Sequence, residues 1–269
     1  MATTPQELTD ALDQIAPTRL AADWDNVGLL VEGPAKAAIE RVLFCIDLTH
    51  PVLNEAIEAD VQAIVAYHPP IFGGLKRLTR RAPSQNLILR LIESGIMVWS
   101  PHTGLDAAPN GLGDWLIEGL GEVKEREAIE PSALHPDDAT IGMGRRGTLT
   151  TPSSIDDLIA KLKPYLGLEH VRAAIAPKHR DGANISRVAV CPGAGGSLFG
   201  GVRKVDLLLT GEMRHHDVLS RVAGGTSVIL TDHTNTERGY LPILAKRVSD
   251  AVAIETVVSH IDTDPLHVV

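Results

Sequence analysis

The sequence is poor in cysteine, and this already restricts the compartment in which the protein folds. Cys45 and Cys191 are the only two cysteines, and both lie in apolar, strand-like runs. Disulfide bonds persist in oxidising compartments, whereas cytoplasmic thiols stay reduced. The cysteine content therefore predicts two buried thiols in a cytoplasmic protein.

Aromatic residues and positive charge are also scarce. Aromatic side chains make up 3% of the chain, and the formal net charge is −9. An acidic chain lacks the broad positive field that drives binding to a phosphate backbone, and few rings are present to stack on bases. We therefore expect no nucleic-acid partner. A small pocket for divalent cations remains compatible with this charge, because the local ligands decide metal binding.

Long apolar runs and targeting segments are missing as well. No stretch approaches the ~20 apolar residues that a membrane-spanning helix needs. Residues 1–13 have neither the basic nor the apolar region of a secretory signal. We expect a cytoplasmic protein without a membrane partner. Its 269 residues, 44% of them apolar, are enough for a sizeable core in one or two domains.

Strand-like and helix-like segments alternate along the first half of the chain. The strand-like segments are 41–46, 61–66 and 96–99, and the helix-like segments are 52–59, 84–92 and 111–120. This order predicts an α/β fold with a largely parallel sheet and helices on its faces, joined by right-handed crossovers.

A change of composition divides the chain further along. Charge and proline dominate residues 122–138, a strand–helix–strand pattern follows, and the alternation then resumes. In this last part we predict strands at 187–190, at 205–209 and up to Leu230, and helices at 215–222 and from Thr236 to Arg247. The predicted domains are a first α/β half at 1–121, a linker and small insert at 122–184, and a second α/β half at 185–269.

Histidines and carboxylates follow three of the predicted strands at their C-terminal ends. His68 follows the strand at 61–66, and His102 and Asp106 follow the strand at 96–99. His233 and Glu237 follow the strand that ends at Leu230. Ligands of open α/β sheets bind at this edge. Imidazole and carboxylate together suit Zn, Mn, Fe or Ni, and the lack of cysteine ligands argues against a closed structural zinc site. We predict that the three loops hold metal.

Each of these residues also has a purely structural interpretation. Glu237 completes the capping pattern Thr234-Asn235-Thr236-Glu237 and would then cap its helix. Asp106 would be a turn residue, and a histidine at a strand end is commonly a loop residue. Asp25, in a loop rich in turn formers, either makes a turn or orients a neighbour. The coincidence at three strand ends favours the metal site.

Two further segments carry candidate chemistry. Glu212, His215 and His216 have the spacing of one helical face, so they would orient ligands, move protons or contact substrate, or else form a solvated first turn. The glycine-rich segment 191–197 has the composition of an anion-binding nest, and a tight strand-to-helix turn explains it equally well.

At these loops the sequence resembles the Nif-three-like family, also known as NGG-interacting-factor-three or dinuclear metal-centre proteins. Many members carry the label GTP cyclohydrolase I type 2 homologue. The resemblance covers nearly the whole chain. It rests on Trp24-Asp25-Asn26-Val27-Gly28, Tyr67-His68-Pro69-Pro70-Ile71-Phe72, His102-Thr103-Gly104-Leu105-Asp106-Ala107-Ala108-Pro109, Thr210-Gly211-Glu212 with His215-His216-Asp217, and His233-Thr234-Asn235-Thr236-Glu237-Arg238-Gly239.

The resemblance implies a three-layer α/β/α fold of two similar halves with mixed or mainly parallel sheets, often assembled into toroidal hexamers. It also implies a two-metal pocket in which His68, Asp106, His233 and Glu237 are ligands and which His102 lines. Many bacterial members have a His-His pair where this chain has Tyr67-His68. A phenol with a reference pKa of ~10 is a poor ligand, so we expect one cation, or one bound tightly and one weakly.

The function that follows is a metal-dependent hydrolase of a small phosphorylated or nucleotide-like compound, which includes a GTP cyclohydrolase-type activity. In this interpretation His102, Glu212 and His215 move protons, and the chain forms a homo-oligomer. The alternative is a binding protein without turnover, either a metal carrier or a regulatory protein that interacts with a transcription factor.

Overall fold

The computed structural model describes residues 3–34 and 38–267. The chain forms two compact units. Unit 1 comprises Met1–Leu105 and Tyr240–Val269, and unit 2 comprises Asp106–Gly239.

The helices are α1 (Pro5–Ile15), α2 (His50–Glu58), α3 (Pro83–Ser94), α4 (His102–Ala107), α5 (Leu112–Glu118), α6 (Ile155–Leu166), α7 (Pro177–Arg180), α8 (His215–Ala223) and α9 (Leu241–Val252). The strands are β1 (Gly28–Val31), β2 (Arg41–Cys45), β3 (Ala63–Ala66), β4 (Met97–Ser100), β5 (Val123–Glu127), β6 (Glu130–Pro131), β7 (Gly142–Met143), β8 (Arg145–Ser153), β9 (Arg172–Ala174), β10 (Ile185–Cys191), β11 (Leu207–Thr210), β12 (Ser227–Leu230) and β13 (Glu255–Val258).

Unit 1 is built on a sheet with the strand order β1-β4-β3-β2-β13, in which only β1 is antiparallel to its neighbour. Alternate residues of a strand point to opposite faces. Leu43 and Cys45 pack in the cluster that contains the apolar residues of α2 and α3. Val42 and Phe44, which point to the other face, are fully buried too. Helices α1 and α9 pack against each other, and α9 packs on β2 and β13.

Unit 2 contains a mixed sheet with the order β5-β8-β10-β11-β12-β9. Its three central strands β10, β11 and β12 are parallel, and the outer pairings are antiparallel. The register places the last residues Cys191, Thr210 and Leu230 side by side. The loops after these three strands therefore leave from one edge of the sheet.

The α/β class with mainly parallel central strands is confirmed, and both cysteines are buried free thiols.

The compact units follow boundaries other than the predicted 1–121, 122–184 and 185–269. The range 122–184 lies inside unit 2, and the chain returns to unit 1 at Tyr240. The reason is that β13 pairs in parallel with β2. Within the described residues, no helix has both the length and the apolar character to cross a lipid bilayer.

The start of one helix and the placement of one side chain differ from the prediction. The helix predicted from Thr236 begins at Leu241, after two 3-10 turns at Thr234–Thr236 and Arg238–Tyr240. Proline at the second helical position, Pro242, suits a first turn because its missing N–H is not needed there. The placement of Glu212 on a helical face is wrong, since α8 begins at His215.

A buried ion pair ties together several loops of unit 2. Arg145 is fully buried, and its Nε donates to Asp114 Oδ1 at 2.6 Å. Its two Nη atoms donate to the carbonyls of Gly142, Gly144 and Ala108 at 2.6, 2.8 and 3.0 Å. Five N–H donors in one planar group make this arrangement specific to arginine.

We expect Arg145→Ala to destabilise the protein by about 3–5 kcal/mol, because the change leaves Asp114 as a buried charge without its main partner. The neighbouring Arg146 is a matched control. It is half exposed and pairs with Glu127 at 2.9 Å, so Arg146→Ala is expected to cost less than about 1 kcal/mol. Urea unfolding measures both values, and equal losses would contradict the role given to Arg145.

Candidate metal centre

In unit 1, His68 lies just beyond β3 and is oriented by a carboxylate. The amides of Tyr67 and His68 donate to the carbonyls of Cys45 and Ile46 at 2.8 and 3.0 Å, so the chain keeps its strand register past the end of β3. The Nδ1 atom of His68 lies 2.9 Å from Asp47 Oδ1. A carboxylate at Nδ1 fixes the ring and leaves Nε2 as the nitrogen available to a ligand, an arrangement that is common among histidines that bind metals.

His102, at the start of α4, is held in the same way by Asp25. Its Nδ1 lies 2.7 Å from Oδ1 of Asp25, whose side chain is fully buried. Thr103 donates both its backbone N–H and its hydroxyl to the other carboxylate oxygen. Burial alone would raise the pKa of Asp25, but the hydrogen bonds from His102 and Thr103 hold it below its usual value. The sequence left two interpretations of Asp25 open, a turn residue or a residue that orients a neighbour. The contact with His102 favours the second.

The aromatic side chains of unit 1 place His68 and His102 next to each other. The two imidazole centroids are 5.4 Å apart, and the buried Tyr67 ring lies 5.0 Å from His68 and 5.5 Å from His102. The exposed rings of Trp24 and Phe72 flank His102 at 6.1 and 6.5 Å. The Tyr-His pair that distinguishes the sequence is therefore in direct contact with the second histidine.

In unit 2, His233 lies between two glutamates. Its Nε2 is 3.7 Å from Glu237 Oε1, and its Nδ1 is 3.3 Å from Glu212 Oε1. Glu237 is only 2% exposed, whereas Glu212 is 54% exposed. The capping role considered for Glu237 does not apply, since α9 begins four residues later and has no side-chain cap. A buried carboxylate and an imidazole thus face each other at the end of β12.

Threonine hydroxyls fix the glycine-rich loop after β10 against this pair. The N–H of Gly193 donates to Thr236 Oγ1 at 2.8 Å, and the N–H of Gly195 donates to Thr210 Oγ1 at 2.9 Å. The Thr236 hydroxyl in turn donates to the carbonyl of His233 at 2.7 Å. Because these two amides are used inside the unit, the structure favours the tight turn over an anion-binding nest.

Gly193 forms a cradle in front of the His233–Glu237 pair. Its φ is +57°, and a Cβ placed there would lie 2.9 Å from His233 Nε2 and 3.0 Å from Glu237 Oε1. Any larger residue would therefore press on the nitrogen and oxygen that face each other. The absence of a side chain leaves both donor atoms accessible, as a bound cation requires.

Asp106 is a second buried carboxylate of unit 2, with 6% exposure. Burial, and then the negative charges of Asp106 and Glu237, raise the pKa of the Cys191 thiol. A thiol that stays protonated is a poor metal ligand. Buried carboxylates together with an imidazole are a donor set that fits a divalent cation such as Zn, Mn, Fe or Ni, because the cation offsets the cost of burying negative charge.

Comparison with known proteins assigns the chain to a family. The family described as Duf34/NIF3 (NGG1p interacting factor 3) matches residues 3–265. The "Protein NIF3 homolog" of Schizosaccharomyces pombe is 40% identical, covering 97% of this chain and 96% of that protein. The chain belongs to the DUF34/NIF3 family.

Other NIF3 proteins extend the comparison in sequence and in structure. The "NGG1-interacting factor 3" of Saccharomyces cerevisiae is 38% identical over 97% of this chain and 96% of its own length. The crystal structure of a Bacillus cereus protein related to NIF3 has a TM-score of 0.84, with 19% identity and complete coverage of both chains. That likeness establishes the NIF3 fold for this chain.

The predicted site residues of this NIF3 protein fall into two groups. His68 and His102 lie together in unit 1, and Asp106, His233 and Glu237 lie in unit 2. Of the predicted proton-transfer residues, Glu212 contacts His233, while His215 is exposed at the first position of α8 with its ring 5.4 Å from His216. The assignment of catalytic and metal-binding roles stays a prediction.

Sequence reasoning missed two residues that shape the site. Asp47 lies two residues after the end of β2. The rule that identified the other candidates, a polar residue just after a strand, could therefore have found it. Gly193 was considered only as part of a glycine-rich segment. Its close approach to His233 and Glu237 depends on the packing of the loop after β10 against the loop after β12, which no local pattern shows.

We expect Gly193→Ala to lower the metal content of the purified protein strongly, because the new methyl group displaces His233 or Glu237. The control is Gly167→Ala. Gly167 also has a positive φ, +70°, but a Cβ there meets nothing within 4 Å. Both variants carry backbone strain of about 1–2 kcal/mol, and elemental analysis separates them. Equal metal content in the two variants would refute the cradle.

Proposed function

We propose that this NIF3 protein is a metal-dependent hydrolase that acts on a small phosphorylated or nucleotide-like compound. Its metal ligands would be His68, Asp106, His233 and Glu237. One imidazole nitrogen from each histidine and one carboxylate oxygen of Glu237 would be ligand atoms. The cation would be Zn, Mn, Fe or Ni, as the donor set favours.

The observation that carries this proposal is a repeated pairing of histidine with carboxylate. Nδ1 of His68 faces Asp47 at 2.9 Å, and Nδ1 of His102 faces Asp25 at 2.7 Å. Nδ1 of His233 faces Glu212 at 3.3 Å. A histidine that is only part of a solvated loop needs no carboxylate at Nδ1. A histidine that binds a metal or moves a proton needs a fixed tautomer. Three such pairs at strand ends favour chemistry over loop structure.

The residues around the ligands would divide the chemical work. A bound divalent cation would lower the pKa of a bound water and polarise the electrophilic phosphoryl or carbon centre of the substrate. Asp25 keeps the ring of His102 fixed, so that Nε2 of His102 can take or give a proton. Glu212 is exposed and touches Nδ1 of His233, where it can pass a proton to solvent. His215 is the further candidate for proton transfer.

Tyr67 limits the number of cations. Its ring is buried against His68 and His102, and a phenol binds metal only after it loses a proton of reference pKa ~10. We therefore propose one tightly bound cation and at most one weakly bound cation per chain. A homo-oligomer remains part of the proposal.

Removal of the His233 imidazole is expected to take at least one metal from each chain. His233→Ala removes a ligand, and Glu237→Gln removes a ligand charge at constant volume. His216→Ala is the control, because His216 is an exposed histidine of α8 outside the proposed ligand set. Elemental analysis measures the stoichiometry, and circular dichroism confirms that all three variants fold. Full metal content in His233→Ala would overturn the ligand assignment.

Turnover is tested with the metal-loaded protein on a panel of nucleotides, GTP included, and phosphoesters, with Zn, Mn or Fe added. We expect hydrolysis of at least one member, and a loss of about 10²–10⁴-fold in kcat in His102→Ala if this residue moves the proton. A metal-loaded protein that is inert towards the whole panel contradicts the hydrolase.

A second candidate function is binding without turnover. The name of the Saccharomyces cerevisiae relative, "NGG1-interacting factor 3", describes an interaction of that protein. In this alternative the present chain is a metal carrier or a regulatory protein that interacts with a transcription factor. Rapid release of the cation to a chelator, together with an inert panel, would favour this function over the hydrolase.

A further inference from the structure

A groove of unit 2 runs along α8, on the side of the segment that precedes β11. Its volume is about 400 Å³, within the range of roughly 300–1,000 Å³ that is typical of small-molecule sites. Gly200 and Val202 line one wall, and Ser220 of α8 lines the other. None of the proposed metal ligands or proton-transfer residues is among the described residues that line it. The groove is therefore a candidate site separate from the metal centre.

Positive charge is concentrated in this groove. Arg203, Lys204 and Arg221 line it, and Asp217 is the acidic residue among them. The protein as a whole carries a formal net charge of −9. Three cations against one anion in a concave surface attract an anionic ligand, because a cleft lined by one sign of charge focuses the field.

The two guanidinium groups are fixed close together by the backbone. Nη1 of Arg203 and Nη1 of Arg221 both donate to the carbonyl of Val202, at 3.0 and 2.9 Å. Arg203 also donates to the carbonyl of Gly200 at 2.6 Å, and Arg221 donates to that of Phe199. Since each guanidinium has five N–H donors, donors remain for an oxyanion after these bonds.

The two guanidinium groups carry like charges, which repel each other, and Asp217 offsets only part of this repulsion at Arg221. Burial, and then the charge of Arg203, lower the pKa of Arg221. An oxyanion between the two side chains would remove the repulsion and accept paired hydrogen bonds from the guanidinium forks. Because backbone carbonyls already hold both guanidinium groups, binding costs less conformational entropy than it would for free side chains.

Lys204 adds a third cation from an unusual backbone conformation. Its φ is +58°, which a non-glycine residue adopts at a cost. It also lines a neighbouring depression that contains Lys178 and Arg187. Asp206 offsets the charge of Lys178 at 2.7 Å, and Lys204 and Arg187 leave this depression with net positive charge.

We propose that the α8 groove binds the phosphate group of a small phosphorylated molecule. Arg203 and Arg221 would hold the oxygens, and Lys204 would close the open side. The inference does not depend on the hydrolase proposal, since no metal ligand takes part. A purely structural role for the two arginines, in which they only bind backbone carbonyls, predicts no affinity for phosphate.

The test is calorimetric titration of inorganic pyrophosphate into the full chain after removal of metal with a chelator. We expect one pyrophosphate per chain, and binding weakened about tenfold by Lys204→Asn and by Arg203→Gln, since each loses a charged hydrogen-bond donor. Asparagine tolerates a positive φ, so Lys204→Asn keeps the local backbone. Lys161→Asn, a change of an exposed lysine on α6, is expected to bind like the wild type.

Three outcomes would overturn the proposal. The first is no binding by the folded wild type, and the second is equal binding by all variants. The third is a loss of binding in His233→Ala with normal binding in Lys204→Asn, which would assign the anion to the metal centre. An inactive but pyrophosphate-binding protein would refute the hydrolase and leave the groove proposal intact.

Discussion

A carboxylate lies against the Nδ1 atom of each of the three strand-end histidines, and this contact sets the direction of the imidazole ring. Asp47, Asp25 and Glu212 are the three carboxylates. An imidazole has two nitrogens, so a partner at one of them fixes the tautomer and the direction of the other. The parallel strands place the residues at one edge of each sheet, and the carboxylates then orient them. Position and orientation thus come from different parts of the sequence.

Much of the fold follows from local patterns, and the misses have identifiable causes. The strands from β2 to β4 and the helices between them match the predicted segments closely, because apolar periodicity reports burial. The start of α9 was misplaced because Thr234-Asn235-Thr236-Glu237 has the form of a capping box, while Pro242 favours a start at Leu241. The choice of β2 as partner of β13 is non-local, so composition could not predict where the chain returns to unit 1.

The candidate site was only partly predictable for a related reason. A histidine at the end of a strand is visible in the sequence, and His68, His102 and His233 were found in this way. The position of Gly193 against the His233–Glu237 pair is set by hydrogen bonds that the amides of Gly193 and Gly195 donate to the hydroxyls of Thr236 and Thr210. Such contacts join residues more than ten positions apart. Spacing rules, which describe neighbours on one element, do not contain them.

Charge is distributed unevenly over this acidic chain, and the distribution agrees with the chemistry proposed for each part. The buried carboxylates of unit 2, Asp106 and Glu237, suit a cation, and burial together with their negative charge raises the pKa of the Cys191 thiol. The arginines beside α8 suit an anion instead. Overall net charge therefore says little about either site, since local donors and acceptors decide what binds.

The most direct measurement is anomalous diffraction from crystals grown with Mn²⁺ or Zn²⁺, with data collected on both sides of the absorption edge of the metal. The account predicts a strong peak within coordination distance of His68, Asp106, His233 and Glu237, with Nε2 as the histidine ligand atom and Gly193 beside the ion. No peak at these four side chains, or peaks only at surface carboxylates, would contradict it.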